Sequence, residues 1–319
     1  MSLRFAAPLG CALLALTAGC AGAVESSKLE DGARRAVPVA ICLKPLERHG
    51  ASGVVSTLQP EDYWSLILPS FDPASGSVDR SAPDCAGRLL LDRPELLQAE
   101  GARTGSISTK PEDAVVTAAP NGFRIVWLRT HRFADGTAAG PLALVRPKEG
   151  YAEVYATGLY RGNSKSSRFV LERMGPRIVI TATDEGCAGV KPNEDCETSF
   201  AVFLMHAGRL APAAHFPLDR IHYGAAPGVS GTVQYRLTAT PVFHKQSIRV
   251  VEQVVVRDVN QGPIRKSDLE RVFKLNERGN LIPTADSLWS QVLAGGAPST
   301  ATGGAATPGG PAATPGSKP

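Results

Sequence analysis

Hydrophobic and polar positions alternate with a period of two along much of the chain. Val233, Tyr235, Leu237 and Ala239 are separated by Gln234, Arg236 and Thr238, while Tyr151, Glu153, Tyr155 and Thr157 are separated by Ala152, Val154 and Ala156. Such alternation predicts strands with one face buried and the other in water. Turn-forming pairs punctuate the pattern at Asp135-Gly136, Glu149-Gly150, Gly175-Pro176, Ala207-Gly208 and Gly279-Asn280. Phe200 to Met205 is apolar on both faces, as a central strand requires, and Ile248 to Val256 is rich in β-branched residues. About ten strands at hairpin-like spacing predict a mainly β fold: an antiparallel sandwich, a barrel or a propeller-like arrangement, with a few short helices.

The helical signals are few. Pro60-Glu61-Asp62-Tyr63-Trp64 puts Pro in a first turn and two acids at the positive end of a helix dipole. Asp92-Arg93-Pro94-Glu95 is a second start of the same kind, with Gly101 as its stop. Asp286 to Leu293 predicts a short closing helix that turns Leu288, Trp289 and Val292 to the sheet. Residues 101–120 have no clear period and read as loop. Arg124-Ile125-Val126 echoes Arg177-Ile178-Val179, too brief a match to define repeating blades.

The two ends of the chain differ from its middle. Arg4 precedes an apolar run from Phe5 to Leu16, and Thr17-Ala18-Gly19-Cys20 follows directly. The run is too short to span a bilayer comfortably and reads as a removable export signal. Together these residues resemble the signal and lipobox of bacterial lipoproteins. The resemblance covers about twenty residues, by the usual extent of an export signal. It departs from the family pattern by placing Leu16 one step before the usual leucine position, where Thr17 stands. It implies acylation of Cys20, which becomes the first residue of the mature chain, and Ala21 after it implies outer-membrane sorting. Ordinary secretion has its own site at Ala21-Gly22-Ala23, with cleavage before Val24. The expected organisation is a signal over 1–19, a lipidated polar tether over 20–36, a globular domain over 37–293 and a tail over 294–319. Within the domain, 37–120 is expected to be mixed and 121–293 antiparallel β. The tail is almost wholly Ala, Gly, Pro, Ser and Thr and predicts disorder, since it has nothing large and apolar to bury.

Export changes the reading of the cysteines. Of six, Cys11 falls in the signal and Cys20 is the lipid site. Cys42, Cys85, Cys187 and Cys196 remain in an oxidising compartment and predict two disulfides. Pairing Cys42 with Cys85 and Cys187 with Cys196 closes a local loop in each case. The formal charge of +4 on 319 residues is too small to imply nucleic acid as a partner.

Motifs that carry chemistry are absent from the sequence. There is no G-x-S-x-G elbow, phosphate cradle, H-E-x-x-H or C-x-x-C, and no cofactor is expected. His206, His215 and His222 share one region and, with Asp219, are the best candidates for a metal or a hydrolytic site, though their spacing is not that of ligands. Asp184, Glu185, Glu194 and Asp195 gather carboxylates near a disulfide, as a Ca²⁺ loop or a solvated hairpin tip would. Arg161, Lys165, Arg168, Arg173 and Arg177 form a basic stretch, and Tyr151, Tyr155 and Tyr160 are candidates for a sugar-stacking platform or for ordinary sheet packing. The expectation is a non-catalytic envelope lipoprotein. It is held to the membrane through Cys20 and binds a protein or polysaccharide partner, or serves a structural role. The alternative is an exported hydrolase with a site assembled from scattered His and acidic residues.

Overall fold

The structure, a computed structural model, describes residues 39–46, 58–99, 106–189, 191, 193–226, 228–260 and 262–293. The expected signal, Cys20, the tether and the tail lie outside these residues. The first part of the chain supplies β1 (Cys42–Pro45), α1 (Pro60–Ile67), β2 (Ser77–Asp79), β3 (Ser106–Ser108), β4 (Ala114–Ala118), β5 (Arg124–Leu128) and β6 (His131–Arg132). Long strands follow: β7 (Thr137–Lys148), β8 (Tyr151–Asn163), β9 (Arg168–Met174), β10 (Arg177–Ala188), β11 (Asp195–His206), β12 (Arg209–Ala225), β13 (Thr232–Phe243), β14 (Ser247–Asp258) and β15 (Gly262–Leu275). The described chain closes with β16 (Leu281–Pro283) and α2 (Leu288–Leu293).

The fold is mainly β and sandwich-like. One half-sheet carries β4, β5, β7, β8 and β1, with β6 on β7, and the other runs β9-β10-β11-β12-β13-β14-β15-β16. A single parallel bridge, Arg209 to Thr157, joins them between β12 and β8. The path ends at strands β4 and β16 rather than closing, so of the expected arrangements the sandwich holds and the closed barrel does not. The turn pairs fall where the pattern predicts. Lys148 faces Tyr151, Met174 faces Arg177 and His206 faces Arg209, so each hairpin has a two-residue loop. In the last of these, Ala207 and Gly208 both take positive φ (45° and 74°), the mirror-image turn that matches strand twist.

The halves pack face to face. Trp127, Leu142, Leu144 and Tyr155 of one meet Phe169, Ile180, Phe203 and Leu210 of the other. At the centre, Tyr160 lies edge-on to Trp127, Phe169 and Phe203, with ring centroids 5.0, 5.1 and 5.9 Å apart. The opposite face of the first half is also covered. Val126, Leu128, Ala143, Val145 and Val154 pack under Trp64, Leu66 and Ile67 of α1. Burial on both sides explains the unbroken apolar runs of β5 and β7. It also corrects the expectation of a wet face on β8, where Glu153, Tyr155 and Thr157 are all buried. Residues 101–120 are corrected too: β3, β4 and a 3-10 turn at Pro111–Asp113 occupy much of them. Pro94 opens only a 3-10 turn, Pro94–Leu96.

The second half coils back on itself. Val179, Val202 and Leu204 on its rear face meet Ile248, Val250 and Phe273. β13 alternates as predicted, with Val233, Tyr235 and Leu237 inward beneath Leu288, Trp289 and Val292 of α2. Glu252, fully buried on β14, fastens that helix. Its carboxylate accepts from the Leu288 N–H at 2.7 Å and the Ser287 hydroxyl at 3.1 Å, and pairs with the buried Arg271. Both predicted disulfides are present, Cys42–Cys85 and Cys187–Cys196.

Removing one partner of a buried ion pair leaves the other charge uncompensated. Glu252→Ala is therefore expected to lower stability by about 3–5 kcal/mol in urea denaturation, where Glu270→Ala on the exposed face of β15 changes it by less than about 1 kcal/mol. Opening Cys42–Cys85 by Cys85→Ala should lower stability by about 4 kcal/mol on the loop-entropy estimate. Equal stability of either variant and the wild type would contradict these assignments.

Candidate functional site

The three candidate histidines do not converge. His206 opposes Arg209 at one end of the β11–β12 hairpin, while His215 and His222 lie farther along β12. At the strand rise, His215 is about 20 Å from Arg209 and about 23 Å from His222. The candidate Asp219 is occupied by Arg236 at 2.8 Å. The convergent His reading is therefore corrected: six and seven residues apart along this edge, the side chains are too widely spaced to share a ligand.

His222 alone has an acidic orienter. Its Nδ1 lies 2.8 Å from Asp195 Oδ2, and the other oxygen of Asp195 accepts the Tyr223 N–H at 3.1 Å. The His222 hydrogen bond, outweighing slight desolvation and aided by Tyr223, holds the Asp195 carboxyl below its ordinary range. Asp195, Tyr223 and Thr232 line a pocket of about 490 Å³ between the tip of β10–β11 and the end of β12–β13. No nucleophile hydrogen-bonds to His222 among the described residues. The remaining acids of the tip separate, and Asp184 accepts from Tyr160, Ser199 and the Asn163 N–H. Cys187, Glu194 and Cys196 approach within 4.8 Å of one another, but the two sulfurs are bonded to each other and offer no thiolate.

The tyrosines do not form a platform. Tyr155 and Tyr160 are buried in the central core, and only Tyr151 is partly exposed, beneath Lys148. Of the basic stretch, Arg161 pairs with Asp135 at 2.9 Å and stacks on Phe133, while Arg173 and Arg177 stand in solvent.

The largest concavity among those described is one the sequence does not signal. Beyond the Thr157–Arg209 bridge, β8 and β12 diverge. β12 pairs with β11 on one side and meets β13 only from Asp219 onward, so Leu210 to Leu218 has an open edge. β8 pairs with β7 throughout, but its other edge is open from Gly158 to Gly162. A pocket of about 590 Å³ lies at the divergence, with Arg88, Arg93, Arg161 and Arg209 in its walls against one acid, Glu95. A second of about 420 Å³, more apolar and bordered by Phe203, Ala214 and His215, adjoins it through shared Leu159, Arg161 and Pro212. Gly158 is required at the apex, because a Cβ there would collide with the Leu210 carbonyl oxygen.

The N-terminal layer forms one wall. Asp84, with its side chain out of solvent, accepts from Arg88 Nε at 3.1 Å, from the Arg88 N–H at 2.8 Å and from the Thr157 hydroxyl. Arg88 also donates to Thr157. Compared with protein-family models, curated proteins and solved structures, the chain matches none.

One histidine that sequence reasoning did not single out is buried. His131 on β6 accepts or donates at Nδ1 with Thr130 Oγ1, 2.9 Å away, and its Nε2 has no partner among the described residues. Burial, with the Arg80 guanidinium nearby, holds its pKa down to about 4. Its ordinary value is 6.5, so the folded state disfavours the charged ring. The contribution to stability is complete above pH 6.5 and is lost progressively as pH falls toward 4. Thermal melts should show the wild type losing on the order of 2–3 kcal/mol more than His131→Gln over that window. Parallel pH profiles for the two proteins would contradict it.

Proposed function

We propose that this protein is an exported, lipid-anchored envelope protein that works by binding a partner protein rather than by catalysis. The observation that carries the binding reading is the basic groove where β8 and β12 part. It is concave and partly apolar, and it is walled by three chain segments that the Asp84–Thr157 contact holds in place. The lipobox-like Thr17-Ala18-Gly19-Cys20 and the two disulfides support export, and the tether would hold the groove clear of the lipid. The hydrolytic reading has one observation in its favour, the Asp195–His222 pair, whose imidazole is oriented as a general base would be.

Cys20→Ala is expected to abolish incorporation of labelled fatty acid and to move the protein from membrane to soluble fractions, because anchoring needs acyl chains. A normally processed, membrane-bound Cys20→Ala protein would overturn the anchor. For function, the full chain would be tested for turnover of ester, glycosidic, peptide and phosphate substrates. The binding reading expects none that His222→Ala abolishes. Turnover lost in folded His222→Ala would replace this reading with the hydrolase.

A further inference from the structure

We infer that the groove takes an extended segment of a partner protein as an added strand on the open edge of β8, and that this segment alternates apolar with acidic residues. The inference rests on the binding reading above and specifies its ligand. Its first support is the backbone. The Thr157 N–H donates away from β7, to the Gly208 carbonyl at 3.1 Å, and the Asn163 N–H donates on the same side, to Asp184 Oδ2 at 3.1 Å. Alternation along a strand then turns the N–H and C=O groups of Leu159 and Arg161 the same way, into the groove. Neither residue has a hydrogen bond on that side among the described residues. Unpaired groups on an edge are a template for another strand.

The second support is the opposite wall. β12 does not close on β8, and its sequence explains why. Pro212 and Pro217 lack N–H donors, and the β11–β12 register shifts between Val202 and Phe203. The incoming chain therefore has its ladder on β8 and meets β12 mainly through side chains. The open stretch, Gly158 to Gly162, is roughly 16 Å long at the strand rise and suits a segment of about five residues.

The third support is charge and polarity. Arg209 has no carboxylate partner among the described residues, and Arg93 lies 3.8 Å from Glu95, a loose exposed pair. His215 stands in the second pocket, beside Phe203 and Ala214. A strand presents successive side chains to opposite faces. One set, on the Tyr160 face of β8, would meet Phe203 and Ala214, and the other, on the Leu159 face, would meet Arg93 and Arg209. The chain's own tail, 294–319, contains no acid and does not fit this lining. An acidic polysaccharide would satisfy the arginines but has no N–H and C=O ladder to match the β8 edge.

The test uses the full chain and a pool of synthetic ten-residue peptides in which Val, Ile, Leu or Phe alternates with Asp or Glu. Fluorescence anisotropy should show saturable binding, at least tenfold weaker when Lys replaces the acids. It should also be at least tenfold weaker for a pool N-methylated at alternate amides in the pairing register. Arg209→Glu, an exposed substitution compatible with folding, should weaken it by a similar factor. Equal binding of the N-methylated pools in both registers, or no binding of the acidic pool, would overturn strand addition. Binding of oligogalacturonate but not peptides, lost in Arg209→Glu, would overturn the peptide ligand and leave the groove as a binding site. Turnover dependent on His222, with neither probe bound, would overturn the binding reading itself.

Discussion

Thr157 is the point on which the architecture depends. Its N–H donates to Gly208 and makes the contact that joins the two half-sheets. Its hydroxyl meets Asp84 and Arg88 and so fixes the N-terminal layer to β8. A carboxylate as deeply buried as Asp84 is tolerated only when it is paired and hydrogen-bonded. The Ala86 and Arg88 N–H groups and the Arg88 guanidinium meet that requirement locally, and Thr157 adds the long-range bond. Cys42–Cys85 fastens the same region, since Cys85 is next to Asp84 and Cys42 pairs with Val154 on β8. Three layers meet within a few residues of one strand, and the groove begins where that contact ends.

Covering both faces of a sheet gives a large core but encloses polar groups that must find partners. Glu153 shows how this is met on β8. Burial alone would raise its pKa, but hydrogen bonds from Lys148, Tyr155 and Arg146 outweigh it and hold the value at about 2. Burial, together with the hydrogen bond it donates to Glu153, pushes the Tyr155 hydroxyl up to about 12. Glu252 solves the problem differently, by serving the backbone of α2 and Arg271 together. In both cases the buried carboxylate has its polar partners supplied by elements packed around it.

The sequence is most legible where structure is local. The two-residue turns, the alternation of β13, the doubly apolar β11, the start of α1 and the buried face of α2 all follow from neighbours within a few positions. The Cys187–Cys196 pairing, across 9 residues, follows from short loop closure in the same way, and it leaves Cys42 and Cys85 as the remaining pair. β8 misleads because its alternation of Glu and Tyr with Ala and Val looks like a half-wet strand. Tyr155 is buried against the second half-sheet and Ala152 and Val154 under α1, layers that come from residues far away in the chain on either side. The groove is illegible for a related reason. Its walls come from residues 88–95, 157–161 and 209–215 with Ala201 and Phe203. The local signals among them, such as the turn start at Asp92–Glu95 and the alternation ending at Thr157, announce elements and not a groove, and the segments meet only after the half-sheets dock. The Asp195–His222 pair is intermediate. The acids at the hairpin tip mark one partner, but the register of β11 on β12 decides which histidine meets it.

The groove exists only if the sheet is interrupted between β8 and β12. A continuous sheet would have no groove and no place for a ligand strand, whereas a true gap leaves alternate amides of one strand without partners. Site-resolved amide hydrogen exchange of the free full chain reads this directly. The Leu159 and Arg161 amides are expected to exchange far faster than those of Thr157 and Tyr160, which are bonded to Gly208 and to β7. Equally slow exchange at Leu159 and Arg161 would mean that the edge is already paired and would contradict the groove.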